Sequence, residues 1–264
     1  MSSSSSSSDC EEPLPAKRSW RDHFSEEVTR EWTDLVLLAG CFATGLLDAA
    51  VLNVWSCFAS MQTGNTVYVG LGITSQPASQ PYRWVKSGTS ILSFMLGSFL
   101  FSRLSRYLTP MRRSTLIITS TLQSLLILLS ALLSTLRIVP SNAGDLVPGN
   151  LIVLLPLSML AMGAGGQCVL SRILGYGEIP TVVLTSAFCD LAMDEKVFHG
   201  VKGNSKRNRR LASAVLLVAG AALGGVMTKD GHIGGALWIV GGVKMGMALV
   251  WVGWKADEGQ VRLA

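Results

Sequence analysis

The chain has 264 residues, of which 49% are hydrophobic and only 15% charged, with a formal net charge of +5. Soluble domains carry about 25% charged residues, and the mean hydropathy here is +0.42. An ordinary soluble domain is excluded. So is a nucleic-acid partner, because the basic residues flank apolar runs instead of forming one polar basic face.

Residues 1–33 open with MSSSSSSSDCEEPLP, too polar to bury enough area to offset its ordering entropy, so a disordered tail is expected. No basic start leads into an apolar core there, as a secretion signal would require. Trp20, Phe24, Val28 and Trp32 then recur every four residues beside Lys17, Arg18 and Arg21. That spacing suits either an amphipathic helix lying at the membrane interface or a frayed, solvated lead-in. Crossing the hydrocarbon core takes about 20 residues of helix, and six runs supply it, at about 34–55, 88–108, 115–137, 150–172, 211–228 and 233–254. Residues 34–254 are therefore expected to form an all-α polytopic bundle of about six transmembrane helices, followed by a short tail at 255–264.

Charge sets the expected orientation. With the N-terminus inside, the inner segments hold the basic residues of the N-terminal tail, Arg103 to Arg113, Arg172 and the run KGNSKRNRR (202–210). The outer loops hold only Arg83, Lys86, Arg137 and Lys229. This is the positive-inside bias, and it places both termini in the cytoplasm. The run 202–210 then reads as a topology anchor that can also touch anionic lipid. Cys41, Cys57, Cys168 and Cys189 fall in membrane segments, where cysteine acts as a small apolar residue, and no zinc-spaced cluster or nucleophile motif appears. No cofactor and no enzymatic activity are expected. Gly220/Gly224 and Gly242/Gly246 are small-residue ridges, serving either internal helix packing or a homo-oligomer.

Two stretches interrupt this plan. The first, MQTGNTVYVGLG (61–72), carries Gln62, Thr63, Gly64, Asn65 and Thr66 in a row just after the first span. A full crossing there would reverse the charge bias of everything that follows. A re-entrant segment avoids this, and Gly64 is its natural break point, with Thr63, Asn65 and Thr66 satisfying the freed backbone. The second, GEIPTVVLTSAFCDLAM (177–193), follows the fourth span and is too short to cross. Each knot follows a Gly-rich span and precedes two more. Three spans per half give halves of opposite orientation, so two inverted three-helix repeats are expected, with knots entering from opposite faces as in many secondary transporters.

Ionisable residues at depth sharpen the expectation. Asp48 lies about two-thirds through the first span and Lys244 near the middle of the sixth, where a charge costs at least about 2.5–3.5 kcal/mol unless paired or hydrated. Asp48 is either a proton or cation site, or a structural group paired with Lys244 or hydrogen-bonded. Asp190, in the second knot, is a counterpart candidate; Glu178, Asp194 and Glu195 read as loop charges.

The segments GLLDA, MQTGNTVYVGLG, LGS and TVVLTSAFCDLA resemble the YoaK/DUF1275 family of multi-pass membrane proteins over residues 34–254. The resemblance implies a six-helix membrane protein and carries the family pattern to Asp48, Thr63, Gly64, Asn65 and Thr66, and in the second half to Gly163, Gln167, Thr185 and Asp190. Cys168 in GGQCV and Ser186 in LTS depart from the family's G-x-Q-N-A and V-T-G. The resulting candidate site for a solute or ion is Asp48, Gln62, Thr63, Gly64, Asn65, Thr66, Gln167, Thr185, Asp190 and Lys244. The leading expectation is a transporter of a small solute or ion in the lipid bilayer; the alternative is a non-transporting scaffold or partner subunit.

Overall fold

The computed structural model describes residues 19–140, 143–145, 147 and 149–257; the Ser-rich start and most of the 255–264 tail lie outside them. Nine α-helices occupy the described residues: α1 Trp20–Ser25, α2 Thr33–Trp55, α3 Gln62–Ile73, α4 Arg83–Tyr107, α5 Arg113–Thr135, α6 Leu154–Leu174, α7 Thr185–Ala192, α8 Ser205–Met227 and α9 Gly234–Val250. Five of the long helices, α2, α5, α6, α8 and α9 with its short 3-10 extension to Gly253, are long and apolar enough to cross a membrane. α4 has 25 residues, but Arg83, Lys86, Arg103 and Arg106 and many serines keep it below that apolarity.

Backbone hydrogen bonds inside each helix leave only side chains to choose neighbours, and glycine decides the closest choices. α2 and α8 run parallel, with Arg209 paired to Asp34 near their starts at 2.8 Å and Asn53 bonded to Thr228 near their ends. Between these points a Cβ on Gly45 would lie 2.0 Å from the Leu217 carbonyl oxygen, and one on Gly220 2.1 Å from that of Phe42. α4 and α6 make the same kind of pair: a Cβ on Gly97 would lie 2.4 Å from the Met162 carbonyl, and one on Gly165 2.5 Å from that of Phe94. α5 and α9 run antiparallel, joined by Ser124 Oγ donating to the Gly241 carbonyl and by Trp251 Nε1 donating to Ser120. The Gly220/Gly224 ridge is thus used inside the molecule, whereas Gly242 and Gly246 meet nothing within 4 Å.

One end of the bundle collects the starts of α2, α5 and α8, and a clasp closes it. The expected four-residue stripe is not one helix. α1 stops at Ser25, and the chain runs extended so that Glu27 bridges to Arg112 and Val28 to Ala256. Val28 is 1% exposed while Trp20 and Trp32 are 76% and 70% exposed. The reason is Arg113, itself 1% exposed, whose guanidinium donates to the His23 and Trp254 carbonyls and pairs with Glu26. Burying that cation requires the lead-in to wrap around it. The basic run is also different from a simple loop. It enters α8, and Arg209 bonds Asp34 and Glu178 while Arg210 bonds Asp190 and Asp194. Asp194 also accepts from Asn204, which holds its carboxyl below the usual carboxylate range.

A side chain at either close approach must push backbone from backbone, an overpacking that costs about 1–3 kcal/mol or more. Gly45→Ala and Gly220→Ala should each lower the detergent-solubilised melting temperature by several degrees. Gly242→Ala should leave it unchanged or raise it, since the space is open and alanine is the better helix former.

Candidate functional site

α2 ends at Trp55 because Ser56 turns the chain into the left-handed region at φ 59°. The break is therefore at residues 56–61, and Gly64 lies inside α3. Gly64 has a different job: a Cβ there would come within 2.7 Å of the Phe58 ring and the Met61 methyl. After Ser56 the chain folds back along α2 as far as Asp48, and α3 then returns beside the first half of α4, with Gln62 at Ser90 and Gly72 at Trp84. The segment is re-entrant within the bundle.

The non-helical residues Phe58, Ala59 and Ser60 have backbone groups that no helix satisfies, and side chains supply almost every partner. Asp48 Oδ1 accepts from the N–H groups of Ala59 and Ser60 at 2.9 and 2.8 Å, and its Oδ2 accepts from the Ser60 hydroxyl. Asn65, fully buried, matches its amide to Phe58: Oδ1 accepts from the Phe58 N–H at 3.0 Å and Nδ2 donates to the Phe58 carbonyl at 2.8 Å. Its second amide proton goes to Gln62 Oε1 at 2.9 Å. Gln62 Nε2 donates to the Ala59 carbonyl, and Ser90 donates to that of Phe58. Thr66 bonds only its own helix, at the Gln62 carbonyl.

The second knot is looser. Gly175 ends α6 at φ 79°, Thr181 sits at φ 56°, and the Thr181 hydroxyl is buried without a partner. No carboxylate folds onto this turn among the described residues. Two cavities flank the place where the knots face each other. One, of about 590 Å³, is lined by Asp48, Met61 and Gly64 on one side and by Leu184, Thr185 and Phe188 on the other. The second, of about 670 Å³, is lined by Ser60, Gln62, Cys168, Arg172, Tyr176 and Ser186 among others. Thr63, Val182 and Val183 line both and stand between them.

The family model described as "Protein of unknown function (DUF1275)" matches residues 36–250, which contain both knots and both cavities. The chain belongs to this family. No curated protein and no solved structure matches it.

The DUF1275 chain does not gather all ten candidate residues. Asp48, Gln62, Thr63, Gly64 and Thr185 line the cavities, and Asn65 holds the turn beneath them. Thr66 lies on an exposed face. Asp190 is in a half-exposed ion pair with Arg210 at 3.1 Å. Gln167 and Lys244 form a separate buried node: Lys244 Nζ donates to Gln167 Oε1 and, at 3.2 Å, to Gln123 Oε1. Of the structural alternatives for Asp48, the pair with Lys244 does not form, and the carboxyl is instead hydrogen-bonded by N–H and hydroxyl donors. Lys244 has no carboxylate partner among the described residues, and Gly40 makes the room, since a Cβ there would lie 2.3 Å from Gln167 Nε2. Gln123, Cys168 and Arg172 were missed as site residues. Gln123 had a readable signal, an amide alone in an apolar run. Among the described residues no group of three or more His, Cys, Asp or Glu is placed to hold a metal.

Asn65→Ala leaves the Phe58 N–H without its partner and its carbonyl with Ser90 alone, and an unmet buried group costs about 1–3 kcal/mol. The expected result is a clear drop in melting temperature. Thr66→Ala, which removes only a hydroxyl and a methyl on the open face of the same helix, should shift it by about a degree or less, within the range of surface substitutions.

Proposed function

We propose that the chain is a multi-pass transporter of a small solute or ion, in which α4 serves as the sixth crossing and the two knots separate cavities facing opposite sides of the bilayer. One observation carries this reading. A broken polar segment from each half of the chain reaches the same place, and a cavity lies on either side of the residues they share. Irregular backbone at depth belongs beside a protein-covered or water-filled cavity, and paired broken segments are the usual site of secondary transporters.

The glycine contacts support the inverted repeat behind it. Gly45 and Gly165 are 120 residues apart, as are Phe42 and Met162; Leu217 lies 123 residues after Phe94, and Gly220 lies 123 after Gly97. Exchanging α2 with α6 and α4 with α8 therefore carries each close approach onto the other, and the antiparallel α5–α9 pair maps onto itself. In the same register Asp48 corresponds to Cys168, and each lines its own cavity. The positive-inside bias supports a cytoplasmic clasped end. Asp48 then holds the first turn in the conformation described here, and release of that turn would link the cavities in alternation.

The scaffold reading keeps one observation of its own, the open Gly242/Gly246 ridge on α9, where a partner helix can approach.

Thr63 distinguishes the two. Thr63→Trp fills the partition between the cavities and should abolish both ligand-induced thermal stabilisation and flux in proteoliposomes, with a melting temperature close to wild type. Thr66→Trp, one turn along on the open face, should retain both. Wild-type protein that shows no ligand shift over a broad panel of ions and metabolites, yet co-purifies with a stoichiometric membrane partner, would support the scaffold.

A further inference from the structure

The charges around the knots are unequal, and the inequality points to a ligand class. The carboxylate in the spanning helices nearest the knots, Asp48, has both oxygens occupied by donors from the first turn. Three hydrogen bonds from that turn thus engage it in this conformation. The cations are in the opposite condition. Lys244 meets only neutral amides. Arg172, an exposed residue, makes no hydrogen bond or ion pair among the described residues, and it lines the 670 Å³ cavity, whose lining contains no Asp or Glu.

Arg172 lies in the last turn of α6, where the helix dipole favours a positive charge. Thr63 and Ser186 line the same cavity, and their hydroxyls likewise have no partner among the described residues. In the repeat register the position matching Arg172 is Leu52, which lines the other cavity. The cavity on the Cys168 side thus has an arginine where its counterpart has an apolar side chain, and Thr63 borders both.

We infer that this cavity is an anion site, binding a small oxyanion such as a carboxylate or phosphate through the Arg172 guanidinium, with the Thr63 and Ser186 hydroxyls as further donors. Guanidinium is the side chain best matched to such a group, because its planar N–H fork bonds two oxygens at once. The inference rests on the transporter reading for its biological meaning, since it makes the transported solute an anion, but the site itself can be tested without flux.

The same chemistry is offered by a free oxyanion and by a lipid phosphate, so the experiment separates them. Full-length protein in an uncharged detergent is titrated with sodium acetate, phosphate or sulfate at constant ionic strength, with chloride as the reference, and stabilisation is followed by thermal shift. Wild type should show saturable stabilisation by at least one oxyanion. Arg172→Gln should weaken it tenfold or more, Arg172→Lys should weaken it less, and Thr63→Ala should weaken it severalfold with the fold retained. If none of the three oxyanions stabilises the wild type beyond chloride, or if Arg172→Gln responds as wild type does, the inference is overturned. It is also overturned if stabilisation appears only with phosphatidylglycerol added and not with the free oxyanions, since Arg172 is then a headgroup anchor. Oxyanion binding without flux in proteoliposomes would keep the site and defeat the transporter reading. Arg172-independent flux of a cation would do the reverse.

Discussion

Backbone that leaves a helix inside an apolar bundle exposes N–H and C=O groups that neither water nor the next turn can satisfy. Phe58, Ala59 and Ser60 form such a stretch, and the structure around them is arranged to supply what they lack. Asp48 takes the N–H groups of Ala59 and Ser60, Asn65 takes both groups of Phe58, whose carbonyl also accepts from Ser90, and Gln62 donates to the carbonyls of Ala59 and Ser60. Asp48 reaches them because the chain turns sharply at Ser56 and runs back along α2. Asn65 reaches them because α3 starts immediately after the turn. The cavities exist where this folded-back segment holds α3 and the second knot apart.

Close helix contacts give that segment its frame. Parallel α2 and α8 approach until only glycine fits at 45 and 220, and α4 and α6 do the same at 97 and 165. Without an expulsion of water to drive association, helices in lipid gain from close backbone packing, and small residues permit it. The two knots emerge from helices pinned in this way, α2 and α6, which is why their tips arrive at a common position. In the proposed repeat the two halves share this frame but differ in the chemistry of the turns. Asp48 secures the first, whereas its counterpart Cys168 leaves the second without a carboxylate, with the Thr181 hydroxyl buried and unpartnered.

Much of this was legible in the sequence, for identifiable reasons. Long apolar runs mark the spanning helices directly, and the helix observed at Thr33–Trp55 lies within a residue of its expected start. The family match covers the same region. The first knot was visible because Gln62, Asn65 and their neighbours are polar where the surroundings are apolar. The break itself was misplaced, since a glycine signals permission to turn and Gly64 uses its missing side chain for contact with Phe58 instead. Long-range pairing was the hardest to see. No local pattern announces that Lys244 will meet Gln123 and Gln167, or that Asp190 will face Arg210, because such partners are fixed by tertiary packing. Val28 shows the same limit: its spacing suggests a helical stripe, but the need to enclose Arg113 pulls it into an extended clasp.

The central claim is that the knots divide two cavities that face opposite sides of a membrane, and thiol accessibility tests it most directly. In a protein with Cys10, Cys41, Cys57, Cys168 and Cys189 replaced by serine or alanine, single cysteines are placed at Ala49, in the Asp48 cavity, and at Ser171, in the Arg172 cavity. Oriented vesicles are treated with a membrane-impermeant maleimide from each side in turn. The account predicts labelling of the two positions from opposite sides, with Ser171→Cys reached from the side of the termini. Labelling of both from one side, or of neither from any side, would contradict it.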